Sequence, residues 1–261
     1  MPVAEIEVIR MKTAVREQKI IGLLESRGEI SIGELSRILE VSESTLRKQL
    51  AGMQQKGLVI RTYGGVMSVN LVPDETFESK MHKNIAEKRR IAELAKTLIH
   101  EGATIALASG TTVYGLGMLL DDLKRGVIYS NSMQTADYLS HCAGLEVHIC
   151  SGIIRSQTGT IIGNEVGEYF RSLKQIDCAF IGCDAIDGNG EVLSDNLSVA
   201  AAEKTILLSA KRRYVLCDSS KIGKSAIAGI TNLRDCDALV TGVEERGFAD
   251  RFKTLTKVLY A

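Results

Sequence analysis

A chain of 261 residues and 28.3 kDa exceeds what one ordinary hydrophobic core covers, so it implies one large domain or two. With 45% apolar residues, 25% charged residues and only 2 prolines, the composition excludes a disordered or collagen-like chain. Lysine plus arginine equals aspartate plus glutamate at 32 each, so no net field draws the protein to nucleic acid or to an anionic membrane, and any such partner has to be met by a local patch.

The first residues mix charges of both signs and hold no apolar run long enough for export. The most apolar stretch, Ile105 to Leu120, is broken by Ser109, Gly110, Thr111, Thr112, Gly115 and Gly117, which argues against a membrane span and places the protein in the cytoplasm. Cys142, Cys150, Cys178, Cys183, Cys217 and Cys236 show no Cys-x-x-Cys pair and no histidine at zinc-binding spacing. They read as reduced, mostly buried small residues, with a redox-sensing thiol as the alternative. No metal and no cofactor is expected.

In chain order, Ile20, Ile21, Leu23 and Leu24 give a first helix an apolar side, with Gly28 as its stop. Ser31-Ile-Gly-Glu34 is a capping box for a second helix whose inner face carries Leu35, Ile38 and Leu39. After the tight connection Glu40-Val41, Ser42 caps a third helix with Leu46, Leu50 and Met53 along one side and Gly57 at its end. Residues 58–63 and 66–69 then flank Gly64-Gly65, the signature of a two-residue hairpin. This places a helical head at residues 13–69, an aperiodic linker at 70–82 and a body at 83–261.

A helix, two helices around a short turn and a hairpin make the plan of a winged helix-turn-helix. With Leu46, Leu50 and Met53 inward, Arg47 and Lys48 face outward from the third helix. Arg47 is the candidate for paired hydrogen bonds to guanine. Ser42, Ser44, Thr45 and Lys48 suit phosphates, and Arg61 on the first hairpin strand suits backbone or minor groove. The plainer alternative is a protein-docking module with solvated charges. Val41-Ser-Glu-Ser-Thr-Leu-Arg-Lys-Gln-Leu50, followed by Gly57-Leu-Val-Ile-Arg-Thr-Tyr-Gly-Gly65, resembles the amino-terminal signature of DeoR-type bacterial transcriptional regulators. Lys48 and Gln49 stand where that signature usually has Arg-Asp, a departure that bears on base preference.

The body opens with one long helical pattern from His82 to Glu101, with Ile85, Ile91, Leu94, Ala95, Leu98 and Ile99 available for a core face. Short apolar strands then alternate with helices: 104–108, 127–129, 147–150, 178–181, 214–217 and 238–240. That alternation implies a mainly parallel sheet covered on both faces, whose ligands bind beyond the carboxyl ends of the strands. The segments there are Ser109-Gly-Thr-Thr112, Ser130-Asn-Ser132, Ser151-Gly152, Gly182-Cys-Asp184 and Asp218-Ser-Ser-Lys221. Ser109-Gly-Thr-Thr112 joins a buried strand to a helix start and suits a phosphate; simple helix capping is the other reading. Lys204 and Lys221 offer cations, or are solvated surface charges. Asp184, Asp187 and Asp218 can accept from sugar hydroxyls, although Asp187-Gly-Asn-Gly190 also fits a plain hairpin connection.

These segments, together with Ser151-Gly-Ile-Ile-Arg155 and Glu203-Lys204, are similar in order and spacing to the DeoR-type sensor domain, so the resemblance runs from about Thr13 to Gly242. It implies an α/β body built like ribose-5-phosphate isomerase that senses a phosphorylated sugar, and a head that binds operator DNA, usually as a repressor of a carbohydrate-use operon. The effector contacts fall on Ser109, Gly110, Thr111, Thr112, Asn131, Ser132, Gly152, Arg155, Asp184, Lys204, Asp218 and Lys221. Ala108 and Ser151 depart from the usual acidic residue and glycine. Paired heads imply a homo-oligomer, dimer or tetramer. The alternative is an isomerase-like enzyme with a DNA-binding head. Isomerisation needs a carboxylate base and a polarising partner, and Gly182-Cys-Asp-Ala-Ile-Asp187 carries no glutamate beside Asp184, so no catalytic residue is expected.

Overall fold

The computed structural model describes residues 15–24, 27, 30–55, 58–61, 65–68 and 75–261, and the chain divides into two units, Met1–Asp74 and Glu75–Ala261.

In the first unit, α1 (residues 15–24) buries Ile20 and Leu24. β1 (Ile30–Ser31) leads into α2 (Ile32–Leu39), where the Ser31 hydroxyl accepts the Glu34 amide at 3.2 Å. Glu40 then turns the chain in the left-handed region at φ 54°. At the start of α3 (Glu43–Gln55) the Ser42 hydroxyl accepts the Thr45 amide at 3.3 Å. Leu46, Leu50 and Met53 are fully buried and join Ile20, Leu24, Leu35, Val59 and Val66 in one cluster. Each such side chain contributes about 1.5–3 kcal/mol by leaving water.

β2 (Val59–Arg61) and β3 (Gly65–Ser68) pair antiparallel, and β3 also pairs with β1, so the wing is a three-stranded sheet. Two expectations change here. Arg61 pairs with Val66 and Gly65 with Ser31, so Gly65 is already strand and the connection is longer than a two-residue turn. Ile38 is 40% exposed because it lies on the flank of the stripe formed by Ile32, Leu35 and Leu39. The expected stops at Gly28 and Gly57 lie outside the described residues.

The second unit is built on a parallel sheet of seven strands: β4 (Thr104–Leu107), β5 (Gly126–Ser130), β6 (Leu145–Ile149), β9 (Ile176–Ile181), β12 (Ala210–Cys217), β14 (Ala238–Thr241) and β15 (Lys257–Tyr260). Their order across the sheet is β15-β14-β12-β9-β4-β5-β6. Side chains alternate between two cores, as the strand period of two requires. Ile105, Leu107, Cys178, Phe180, Tyr214 and Leu216 face α5 (Ile85–Lys96), α6 (Thr111–Gly117) and α7 (Met133–Ser140). Ala106, Ala108, Ala179, Ile181, Val215 and Cys217 face α8 (Asn164–Ser172) and α9 (Leu197–Leu208).

All six expected strands are in this sheet, and β15 is added at its edge. Also unforeseen are the hairpin of β7 (Ile153–Ile154) and β8 (Ile161–Ile162), and a small sheet of β10 (Ala185–Ile186), β11 (Glu191–Ser194) and β13 (Ala228–Asn232). The Asp187–Gly190 connection does join β10 to β11, with Asp187 Oδ1 accepting the amides of Asn189 and Glu191.

The end of the expected linker belongs to this unit. α4 (Phe77–Met81) is capped by Thr76, its Phe77 amide donates to the Gln157 carbonyl at 3.0 Å, and the Phe77 ring meets Tyr114 edge-on at 5.3 Å. The long helix expected over His82 to Glu101 is shorter, since Asn84 at φ 51° separates α4 from α5. Ile85 is 57% exposed, because the first turn of α5 precedes the part that covers the sheet at Ile91, Ala92 and Ala95. Among the described residues no helix is long and apolar enough to cross a membrane.

Candidate functional site

On the head, Ser42, Ser44, Thr45, Arg47, Lys48 and Arg61 are all exposed, the first five on one end of α3 and the last on β2. The Ser42 hydroxyl lies 3.1 Å from that of Ser44 and 2.9 Å from that of Thr45. Arg47 is held by Glu43 one turn earlier at 3.1 Å, with both side chains about half exposed. Such a pair contributes about 0.3–0.5 kcal/mol and is readily exchanged for another anion or a base edge. This face can therefore present one bidentate donor with a row of hydroxyls beside it.

In the body, the chain leaves β4 toward β5 and β6 on one side and returns through β9 on the other, so the strand order reverses between the parallel neighbours β4 and β9. Crevices at such reversals are where open α/β sheets bind ligands. The loop after β4 is Ser109-Gly-Thr-Thr112. Gly110 adopts φ 111°, which favours glycine, and α6 starts immediately behind it, where first-turn amides lack intrahelical acceptors. Ser109, Thr111 and Thr112 are buried, and the hydroxyls of Ser109 and Thr112 make no hydrogen bond to any described residue.

Four residues that sequence reasoning missed complete this crevice, all from α4, α5 and the residues between them. Lys88 is 8% exposed, and its ammonium donates to Thr111 Oγ1 at 2.9 Å and to the Lys80 carbonyl at 2.6 Å. Burial lowers its pKa, and Lys221 and Lys80 add to that against the pull of Asp218. Lys80 reaches Asp184, just beyond β9, at 2.8 Å. Burial opposes ionisation of both, but the ion pair and the hydrogen bonds to Asp184 from Ser194 and the Asp195 amide prevail. Asp184 sits below the usual carboxylate range and Lys80 above the usual lysine. Asn84 donates to Asp218 at 2.8 Å, and Asp218 also accepts from Ser220. Glu87 accepts the amide and hydroxyl of Ser219 at 2.6 and 3.0 Å, fixing the loop after β12.

One signal was available. Lys88 occupies a position in the buried stripe it shares with Ile91, Ala92 and Ala95, where a solvated lysine has no place.

The remaining predicted residues divide. Lys221 is half-buried and close enough to Lys88 to act on its charge, and Arg155 feels the Asp184 carboxylate. Asn131 is fully buried: its Nδ2 donates to the Ile161 carbonyl at 3.1 Å, and its Oδ1 has no partner among the described residues. Ser132 is occupied in capping α7, accepting the amide and hydroxyl of Thr135. Gly152 has to be glycine, since a Cβ would stand 2.5 Å from the Ile162 carbonyl. Lys204 is exposed, a correction to its expected place at the crevice. Neighbouring helix positions lie about 100° apart, and the inward one is taken by Glu203, 5% exposed. Glu203 is close enough to Asp184 for burial, and then that carboxylate, to push its own pKa well up. The six cysteines are free thiols, and burial pushes Cys178 and Cys236 up to about 12.

Residues 16–71 match the DeoR-like helix-turn-helix domain, and residues 83–243 match the DeoR C terminal sensor domain. The lactose phosphotransferase system repressor of Streptococcus mutans is 30% identical over 253 residues, covering 95% of this chain and 100% of that protein. The glycerol-3-phosphate regulon repressor of Haemophilus influenzae is 28% identical over 243 residues, covering 93% and 94%. Among solved structures, ribose 5-phosphate isomerase A from Methanocaldococcus jannaschii aligns at 18% identity with a TM-score of 0.41, over 54% of this chain and 55% of that one. A winged reading helix in one unit, a cation-lined crevice at the sheet reversal of the other, and family matches spanning both agree: the chain is a transcriptional regulator of the DeoR family.

Proposed function

We propose that this regulator represses a carbohydrate-utilisation operon and is controlled by a phosphorylated sugar held between the Ser109–Thr112 loop and Lys88. The observation that carries the reading is the buried Lys88 ammonium, which donates to Thr111 Oγ1 in the first turn of α6 directly after Gly110. A phosphate there exchanges weak contacts for charge-assisted ones. The two relatives, repressors of a lactose phosphotransferase system and of a glycerol-3-phosphate regulon, support a small phosphorylated carbohydrate as effector.

Control follows as a linked equilibrium. A phosphate accepting from Lys88 competes with the Lys80 carbonyl, and a sugar hydroxyl on Asp184 competes with the Lys80 ammonium. Both contacts hold α4, the first helix of the sensor unit, so effector occupancy alters the element through which the chain enters from the head. A 10- to 100-fold change in operator affinity requires a differential binding free energy of about 1.4–2.8 kcal/mol, within reach of the bonds exchanged. The heads act in pairs on a repeated site, with the sensor units associating in the cytoplasm as a homo-oligomer.

Selection of bound fragments from random DNA, followed by gel-shift titration with and without triose, pentose and hexose phosphates, tests this reading. A repeated half-site and an effector-dependent shift are expected; DNA binding indifferent to every sugar phosphate would overturn it. A selective ligand should also raise the melting temperature of the sensor unit. Thr111→Ala is expected to weaken the effector by about 0.5–1.5 kcal/mol, the net contribution of one hydrogen bond, measured by calorimetric titration. Unchanged affinity would move the phosphate away from α6.

A further inference from the structure

β6 ends the sheet on its side, with only β5 beside it. The Gly144 carbonyl accepts the Gly126 amide at 3.1 Å, and the Cys150 amide donates to the Ser130 carbonyl at 3.0 Å. Backbone groups alternate along a strand, so Glu146 and His148 also turn theirs to β5, while Val147 and Ile149 turn theirs outward, where no described strand receives them. An open edge is a template for pairing unless it is blunted. The opposite edge is guarded: beside β15 the cations of Arg246 and Lys253 lie over the Tyr260 ring at 4.9 and 5.5 Å. β6 carries no lysine, arginine or proline, and Ile149 at its end is 41% exposed and belongs to neither core. Ile153 and Ile154, at most about 17 Å of chain from Ile149, extend this apolar edge at 66% and 55% exposed.

The strand is its own complement. When β6 pairs antiparallel with β6 of a second copy about a two-fold axis at Val147, the outward groups of Val147 meet those of its copy. Leu145 then stands opposite Ile149, and Glu146 opposite His148, on both sides of the axis. Glu146 and His148 share one face, 2.7 Å apart within the chain and 69% and 37% exposed, so each has room for a second, oppositely charged neighbour. Moving the axis by one residue sets Glu146 against Glu146 or His148 against His148, which specifies the register. We infer that β6 is the dimerisation edge of the sensor unit and that its occupant is β6 of a second copy of this chain. The inference rests on the association of sensor units proposed above and names the surface that performs it.

Sedimentation of the full chain over a range of concentrations is the test. The unmodified protein is expected to associate by at least one two-fold step. His148→Glu replaces two attractive pairs with two repulsive ones and should raise the dissociation constant of that step about tenfold or more. Adding Glu146→Lys to His148→Glu restores opposite signs across the axis and should return the constant to within about threefold of its original value. Ile149→Lys, which charges the open edge without touching either core, should weaken the same step. Circular dichroism melting checks that each variant folds. Should His148→Glu fail to fold through loss of its stacking on Tyr129, 4.8 Å between rings, Ile149→Lys decides alone. An unmodified chain that stays monomeric would overturn the paired heads and this surface together. If the unmodified chain associates and folded His148→Glu and Ile149→Lys associate equally tightly, the association stands and β6 is overturned as its surface. A folded double variant no tighter than His148→Glu would overturn the axis at Val147.

Discussion

Replacing Lys88 with methionine is expected to lower the affinity for a phosphorylated effector by about 10- to 150-fold, the loss of roughly 1.5–3 kcal/mol associated with a hydrogen bond to a charged group. The side chain is 8% exposed and its ammonium is aimed at Thr111 in the first turn of α6, so a phosphate arriving there meets a cation already stripped of most of its water. Methionine fills comparable volume, so the substitution removes the ammonium without opening a cavity. Calorimetric titration reads the effect directly, and equal affinities for the two proteins would remove Lys88 from the site.

The same group gives the site a pH dependence whose sign is determined by its environment. Burial lowers the pKa of Lys88 in the free protein, and a bound phosphate raises it again by favouring the ammonium. Binding therefore takes up protons as pH approaches the lowered pKa, and affinity falls with further rise in pH, earlier than an ordinary lysine would dictate. Titrations in buffers of different ionisation enthalpy should show proton uptake at alkaline pH in the unmodified protein and none in Lys88→Met.

Arg47→Ala is expected to reduce discrimination between the selected operator and random DNA by about 1–3 kcal/mol, the range of one bidentate contact to a guanine. Its side chain is 54% exposed and, among the described residues, pairs with Glu43, so the substitution leaves the buried stripe of Leu46, Leu50 and Met53 untouched and costs the head little stability. Competition binding at fixed salt isolates the effect, because phosphate contacts respond to ionic strength whereas base contacts respond to sequence. A loss equal on both DNAs would make Arg47 a phosphate contact.

The head and the strands of the body were legible because their signals are local. A serine three residues before a glutamate caps a helix wherever it occurs, and Leu46, Leu50 and Met53 share a side by helical geometry alone. The loops at the ends of β4, β5, β9 and β12 followed from the alternation of strand and helix, and so did the position of Asp184, Asp218 and the Ser109–Thr112 turn. The aperiodic stretch before Lys83 read as a linker for the opposite reason. A five-residue helix carries almost no pattern of its own, and α4 is held by partners far along the chain, Asp184 for Lys80 and Gln157 for Phe77.

By itself, then, the sequence determined that a winged head precedes a parallel α/β sensor and which loops gather at the carboxyl ends of its strands. Only the tertiary structure decided which charges enter that crevice, Lys80, Asn84, Glu87 and Lys88 from the segment read as linker and cover helix, and that α9 buries Glu203 and leaves its neighbour Lys204 exposed. The reason is geometric. Periodicity tells which residues share a side of a helix, but the direction in which that side points is set by what packs against it, and a single position along α9 exchanges a buried acid for a solvated base.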